Sequence, residues 1–277
     1  MRSISVDTVK KAVKQGFLEI CVNADSQVEQ ALKSLINHSE GLSAFALDIM
    51  CKNFSIAREK SVPFCQDTGM AIVFCEVGQD IHFQGGSIED AINQGVREAY
   101  TQGHFRASVL DALSRKNTGD NTPAVIHYQI KQGAELTLKI MAKGFGSENM
   151  SRLFMLSPGA GEQGIIDSVV SAVLEAGSNP CPPVIVGVGI GGTMEKAALL
   201  SKKALFRQLN SPNEQPELDV LEKVICDKIN QLNIGAMGYG GKTALKVCIE
   251  KYPTHIAALP VAVTIQCHAV RHKVIKL

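Results

Sequence analysis

No segment of this chain offers about 18 uninterrupted apolar residues, the length a membrane helix needs, and the first fifteen residues, MRSISVDTVKKAVKQ, lack the apolar centre of a secretory signal. A cytoplasmic protein is expected. Excess charge is lacking too: 28 Lys and Arg face 27 Asp and Glu, a formal net charge of +1 with His neutral. Holding a polyanion takes a surplus of basic side chains, so nucleic acid is not an expected partner, and neither is a membrane. Cysteine is sparse, 8 in 277 residues at irregular spacings, in a chain long enough to bury a sizeable core. That argues against a secreted disulfide framework and in favour of thiols or metal ligands. Internal repeats and low-complexity tracts are missing as well. The 45% hydrophobic and 20% charged residues that are present exclude a disordered chain. The one linker candidate, and so the one candidate sub-lobe boundary, is the polar, proline-containing stretch near 210–216.

Apolar residues recur at three- and four-residue spacing over 5–57 (Val9, Val13, Phe17, Ile20; then Leu42, Phe45, Ile49), which predicts helices broken near Asn23 and at Glu40-Gly41. From Met70 the pattern changes. AIVFCEV, AVIHYQI and ELTLKIMA are short, β-branched or alternating runs bounded by Gly, Pro or Asn, as strands are, with a helical pattern over 87–102 between them. A Gly-rich loop at 144–149 and a Pro-Gly turn at 158–161 lead to the amphipathic IIDSVVSAVLEAG and then the apolar VIVGVGI. Helices over 195–206 and 217–232, a Gly-rich turn and AALPVAVTI complete the chain. The fold class is therefore α/β, a helical N-terminal layer followed by alternating strands and helices in mixed sheets, treated as one domain over 1–277.

The cysteines divide by setting. Cys21, Cys51, Cys226 and Cys248 lie in apolar-periodic segments and Cys75 in a strand pattern, where a thiol serves as a small hydrophobe. Cys65, Cys181 and Cys267 sit in or beside turns, in PFCQDTG, NPCPPV and IQCHAVR. Prolines at 180, 182 and 183 remove three backbone N–H groups from any ladder and hold Cys181 in a non-helical corner. Separations of 116 and 86 residues match no zinc-finger or ferredoxin spacing. They allow two readings: three ordinary loop thiols, or three ligands of a cubane cluster with one iron left open as a Lewis acid.

Two glycine-rich segments imitate nucleotide sites. GVGIGG has Gly187, Gly189 and Gly192 in G-x-G-x-x-G order between a strand-like run and a helix, the context of a dinucleotide-dependent oxidoreductase. The acidic residue expected about 20 residues further on is missing, since Glu214 falls in a Pro-flanked turn. GAMGYGGKT imitates a P-loop, but Ala236 stands where its first glycine belongs and the preceding segment is helical.

Taken together, PFCQDTG, KGFGSENMS, NPCPPVIVGVGIGG and IGAMGYGGKT followed by HIAALPVAVTIQCHAVR resemble the class I iron–sulfur fumarate hydratases, in the same order from about residue 40 to the C-terminus. The resemblance implies a [4Fe-4S] cluster held by Cys65, Cys181 and Cys267. It also implies that Gln66 and Asp67 contact the substrate or its activated water, and that Arg106, in GHFRAS, grips a carboxylate with its guanidinium. By the same resemblance Gly144 and Gly146 let backbone amides approach a dicarboxylate, although a turn that needs positive φ would use glycine equally. His255, twelve residues before Cys267, takes the place of an active-site His or of a satisfied structural one. The family has Gly where Phe145 stands. Single-chain members carry a further C-terminal domain with more carboxylate clamps and the base for the carbon-bound proton, whereas this chain ends at Leu277. It therefore resembles the α subunit of the two-chain form, a hetero-oligomer completed by a separate β subunit. Tartrate dehydratase α subunits share the cysteine motifs but differ in the KGFGSEN loop, which favours the fumarase branch: reversible hydration of fumarate to L-malate.

Overall fold

A computed structural model describes residues 1–277. In chain order its elements are β1 (Arg2–Ser5), α1 (Val6–Val22), α2 (Ser26–Ile36), α3 (Gly41–Lys60), β2 (Met70–Gly78), β3 (Ile81–Gln84), α4 (Ile88–Gln102), β4 (Val125–Lys131) and β5 (Leu136–Lys143). There follow α5 (Phe145–Glu148), β6 (Arg152–Leu156), α6 (Gly161–Ala176), β7 (Val184–Gly191), α7 (Met194–Ala204), α8 (Pro216–Gln231), β8 (Ala244–Tyr252), β9 (Leu259–Gln266) and β10 (His272–Lys276). The fold is α/β with mixed sheets and a helical N-terminal region, as the patterning indicates. The chain forms two compact units. One comprises Met1–Asp25, Asn53–Phe145 and Arg271–Leu277; the other comprises Ser26–Lys52 and Gly146–Val270.

In the first unit, β10-β5-β2-β4 form a sheet in which β2 is antiparallel to β5 and parallel to β4. Helix α1 is capped by Ser5, whose hydroxyl accepts from Asp7 N–H. Its stripe of Val9, Val13, Phe17 and Ile20 joins Ile92, Val96 and Tyr100 of α4 against Val73, Cys75, Leu138 and Ile140 of the sheet. The register carries the functional consequence. Met70, the first residue of β2, pairs with Lys143, the last of β5, and His272, the first of β10, pairs with Met141. The segment entering β2, the one leaving β5 and the one entering β10 therefore meet at one end of this sheet.

In the second unit the sheet order is β6-β9-β7-β8. Side chains alternate along each strand. Val184, Val186 and Val188 of β7, with Val261, Val263 and Ile265 of β9, pack against α6 and α8. The opposite face carries Gly187, Gly189 and Thr264 and receives α7, with Ser201 Oγ 2.7 Å from Thr264 Oγ1. Because helices cover both faces, β7 is an unbroken apolar run rather than an alternating one. Its glycines have a packing explanation: a Cβ on Gly187 would stand 2.1 Å from Ser201 O, and one on Gly189 2.0 Å from Ala197 O. The G-x-G-x-x-G pattern seats α7 against the strand.

The stretch 210–216 lies inside the second unit. The Glu222 carboxylate, almost fully buried, pairs with Arg207 and accepts from Asn213 Nδ2 and Ile249 N–H, both at 2.7 Å. Lys246 Nζ donates to the carbonyls of Gln208, Leu209 and Ser211, using its three protons. One feature of the sequence reading needs correction: KGFGSEN is not wholly loop, since Phe145–Glu148 forms one helical turn. On α3 the spacing of Leu42, Phe45 and Ile49 marks the helix correctly, although all three are exposed.

Candidate functional site

Each of the three singled-out cysteines leaves regular structure. Cys65 lies between α3 and β2, in the first unit. Its neighbour Phe64 is buried, edge-on to Phe54 with ring centroids 5.2 Å apart, and Asn53 Nδ2 donates to Phe64 O at 2.7 Å. Cys181 and Cys267 belong to the second unit, and its topology brings their loops together. Strands β7 and β9 are antiparallel, with Ile185 opposite Gln266, so the residues just before β7 and just after β9 share one end of the sheet. His268 Nδ1 lies 2.8 Å from Cys181 O. A carbonyl only accepts, so the proton is on Nδ1. Burial pushes the His268 pKa below its ordinary value, which favours the neutral ring. Cys181 itself has φ +54°, a left-handed conformation that costs a non-glycine residue about 1–2 kcal/mol. The bonds from Cys181 N–H to Ser178 O and from His268 to Cys181 O, at about 1 kcal/mol each, offset that cost.

No group of three or more His, Cys, Asp or Glu side chains stands at metal-holding spacing in this structure. The fit of a three-thiolate cluster therefore rests on the setting of each donor. Cys65, Cys181 and Cys267 are half-exposed. Burial pushes the thiols of Cys21 and Cys75 up to about 12 and that of Cys248 to about 11, and raises Cys51 and Cys226 as well. A ligand must be a thiolate, so these five are unsuited to the role and the three loop thiols fit it. Cys226 is half-buried rather than fully core.

At the end of the first unit's sheet the CQDTG segment is fixed on every side. Asp67 Oδ1 accepts from Gly69 N–H at 3.1 Å and Oδ2 from Phe145 N–H at 2.7 Å. The guanidinium of Arg271, itself buried, donates to Asp67 O, and Tyr100 OH donates to Thr68 O at 3.0 Å. A Cβ on Gly144 would stand 3.0 Å from both Arg271 Nη2 and Asp67 Oδ2, so glycine there permits a close approach. On Gly146 a Cβ would meet only Asn179 O, at 3.9 Å. Neither glycine has positive φ, which corrects the turn-based reading of both. Gln66 is exposed. Arg106 is exposed and makes no ion pair, while its carbonyl is held by Thr68 Oγ1 (3.2 Å) and Asn121 Nδ2 (2.8 Å).

His255 is placed elsewhere. It lies between β8 and β9, at the end of the second unit's sheet opposite to Cys181 and Cys267, with Thr254 Oγ1 bonded to Gly192 O. From the Ile185–Gln266 pair to the Ile190–Val261 pair is five residue steps, about 17 Å at roughly 3.3 Å each. Within one chain His255 is therefore not beside Cys181 and Cys267, because spacing along the sequence does not report which end of a strand a loop occupies. The reading also missed Arg271, His268 and Gln266, although all three lie in the quoted IQCHAVR. A charged residue next to the apolar Ala269-Val270 requires a buried acceptor, and that signal was present.

With this geometry in view, the comparisons with known proteins are specific. The model of the fumarate hydratase (fumerase) family matches residues 10–276. Among curated relatives, a putative L(+)-tartrate dehydratase subunit alpha of Methanocaldococcus jannaschii is 39% identical over 274 residues, covering 96% of each chain. L(+)-tartrate dehydratase subunit alpha of Escherichia coli UTI89 is 31% identical over 279 residues, covering 99% of this chain and 92% of that one. Its counterpart in Escherichia coli K12 is 32% identical over 273 residues. The chain belongs to the fumarate hydratase family.

Proposed function

We propose that this chain is the α subunit of a cytoplasmic two-chain hydro-lyase that interconverts fumarate and L-malate, with a [4Fe-4S] cluster held by Cys65, Cys181 and Cys267. The observation that carries the reading is that Cys65, Cys181 and Cys267 are partly accessible and lie outside helices and strands, whereas the other five lie inside them with their thiol pKa raised by burial, in a chain of this family. When bound, a cluster with one iron lacking a thiolate supplies a Lewis acid for the substrate hydroxyl.

Dehydration breaks a C–O bond to a poor leaving group and removes a weakly acidic C–H proton, so the protein must hold both carboxylates still. The exposed guanidinium of Arg106, with no competing ion pair and a fixed backbone, is suited to bind one carboxylate through two N–H groups. Asp67 is held by one backbone N–H at each oxygen, which fixes its carboxylate at the position from which it would orient a water or a substrate hydroxyl. Gln66 contributes an amide beside it. The Gly144–Gly146 segment, whose Phe145 amide is engaged by Asp67, presents further backbone to the substrate. The remaining clamps and the carbon base belong to a β subunit. Met237 and Tyr239 are exposed in the loop whose Met237 N–H donates to Pro182 O, beside Cys181, and offer that partner an apolar contact.

A second reading, tartrate dehydration, is favoured by the names of the relatives above. The chain should be purified anaerobically with its β partner and assayed on L-malate, fumarate and L(+)-tartrate. Malate–fumarate turnover above tartrate turnover supports the proposal, the reverse selects the second reading, and no turnover of any of the three refutes both.

A further inference from the structure

We infer that His268 is a positioning residue that fixes the direction of the Cys181 thiol by tying the Cys181 loop to the Cys267 loop. This rests on the proposal that both thiols hold the cluster. Cys181 is not secured by regular structure. It lies between α6 and β7 in a left-handed conformation, with its N–H bonded to Ser178 O and prolines on both sides that donate nothing. Its thiol lies 4.0 Å from Asn179 O, a long contact, and its carbonyl is held by His268 Nδ1 at 2.8 Å. Since His268 is covalently next to Cys267, one hydrogen bond relates the backbones of two loops that the sheet register already places side by side.

The other neighbour of Cys267 acts in the same sense. Gln266 is buried, and its Nε2 lies 3.4 Å from Cys267 O, 3.4 Å from Ala269 O and 3.5 Å from Cys267 Sγ. All three are acceptors, which sets the amide with its nitrogen toward them. One flanking side chain thus donates toward the Cys267 thiol while the other controls the Cys181 backbone. Three successive residues, Gln266, Cys267 and His268, serve both thiols of this unit.

The test compares His268→Leu, His268→Asn and His268→Gln. The Asn amide nitrogen falls near the position of the imidazole Nδ1 and can restore the bond, whereas Leu removes it and Gln places its nitrogen one atom further out. On the apo chain under anaerobic conditions, iodoacetamide modification of Cys181 is followed by mass spectrometry against Cys267 as internal reference. Cys181 should react at least threefold faster in the Leu and Gln variants than in wild type, with Asn within twofold of wild type. After anaerobic reconstitution, iron per chain should fall at least fivefold in Leu and Gln and stay within twofold in Asn. If Leu does not fold, as judged by circular dichroism, the Asn–Gln pair decides. Equal modification and equal iron in all variants, or equal loss in Asn and Gln, overturns the inference. If wild type takes up no iron, the hydro-lyase reading fails, and the modification rates alone decide the role of His268.

Discussion

Replacing Gly189 by alanine should damage the second unit severely and say nothing about nucleotides. The new Cβ would stand 2.0 Å from Ala197 O, 2.6 Å from Ser201 N and 2.9 Å from Leu200 Cβ. Two of those atoms are backbone and cannot rotate away, and ordinary contact begins near 3.4 Å, so α7 must lift by about 1.4 Å. Lifting it also unseats Ala197, Leu200 and Ala204, all buried. Overpacking costs about 1–3 kcal/mol where a side chain can give way, so with backbone in the path we expect a loss of at least about 3 kcal/mol. Gly159 is the control, since a Cβ there meets nothing within 4 Å and its φ is not positive. Gly159→Ala should stay within about 0.5 kcal/mol of wild type. Urea unfolding of the anaerobic apo protein, followed by circular dichroism, reads both. A Gly189→Ala protein as stable as wild type would refute the packing account and restore the dinucleotide reading.

Cys65→Ala should abolish broad iron–sulfur absorption after anaerobic reconstitution while Cys226→Ala retains it; equal cluster content in the two would refute the ligand assignment. Air should inactivate the assembled enzyme and anaerobic ferrous iron with reductant should restore it; full activity after prolonged aeration would count against an open iron. Arg106→Lys should raise KM for the dicarboxylate about tenfold, by loss of two-pronged binding, with unfolding unchanged within about 0.5 kcal/mol; an unchanged KM places the guanidinium outside the site. Burial lowers the His272 pKa to about 4, against about 6.5 unfolded, with Asp25 partly opposing. Above pH 6.5 the ring is neutral in both states and its contribution is fully present. As pH falls from 6.5 toward 4 the unfolded chain takes up the proton first, and stability drops by at most about 3 kcal/mol, less because the ring is partly exposed. His272→Gln should flatten the stability profile in that window, and an unchanged slope would assign the acid sensitivity to another group.

Helices and central strands were legible in the sequence because their signals are local. Val9, Val13, Phe17 and Ile20 mark a helix whatever it packs on, and VIVGVGI marks a strand covered on both faces. The strands β1, β3, β6, β8 and β10 were not read. RSIS, IHFQ and HKVIK are short and polar, and ALKVCIEKY carries Lys, Glu and Tyr among its apolar residues. Such segments become strands because a neighbour offers a ladder, which no window of sequence contains. The same limit governs the site. That Cys65, Cys181 and Cys267 differ from the other five followed from turns and prolines, and the burial of the others gives the difference its electrostatic meaning. Which end of a sheet each loop occupies depends on strand direction and register. Antiparallel pairing of β7 with β9 puts Cys181 beside Cys267 and carries His255 to the far end, although His255 is only twelve residues from Cys267. The pairing of β2 with β5, and of β5 with β10, likewise brings Asp67, Gly144 and Arg271 into contact across 204 residues of chain. Residue chemistry could nominate the donors from sequence, but register decides which of them can act together.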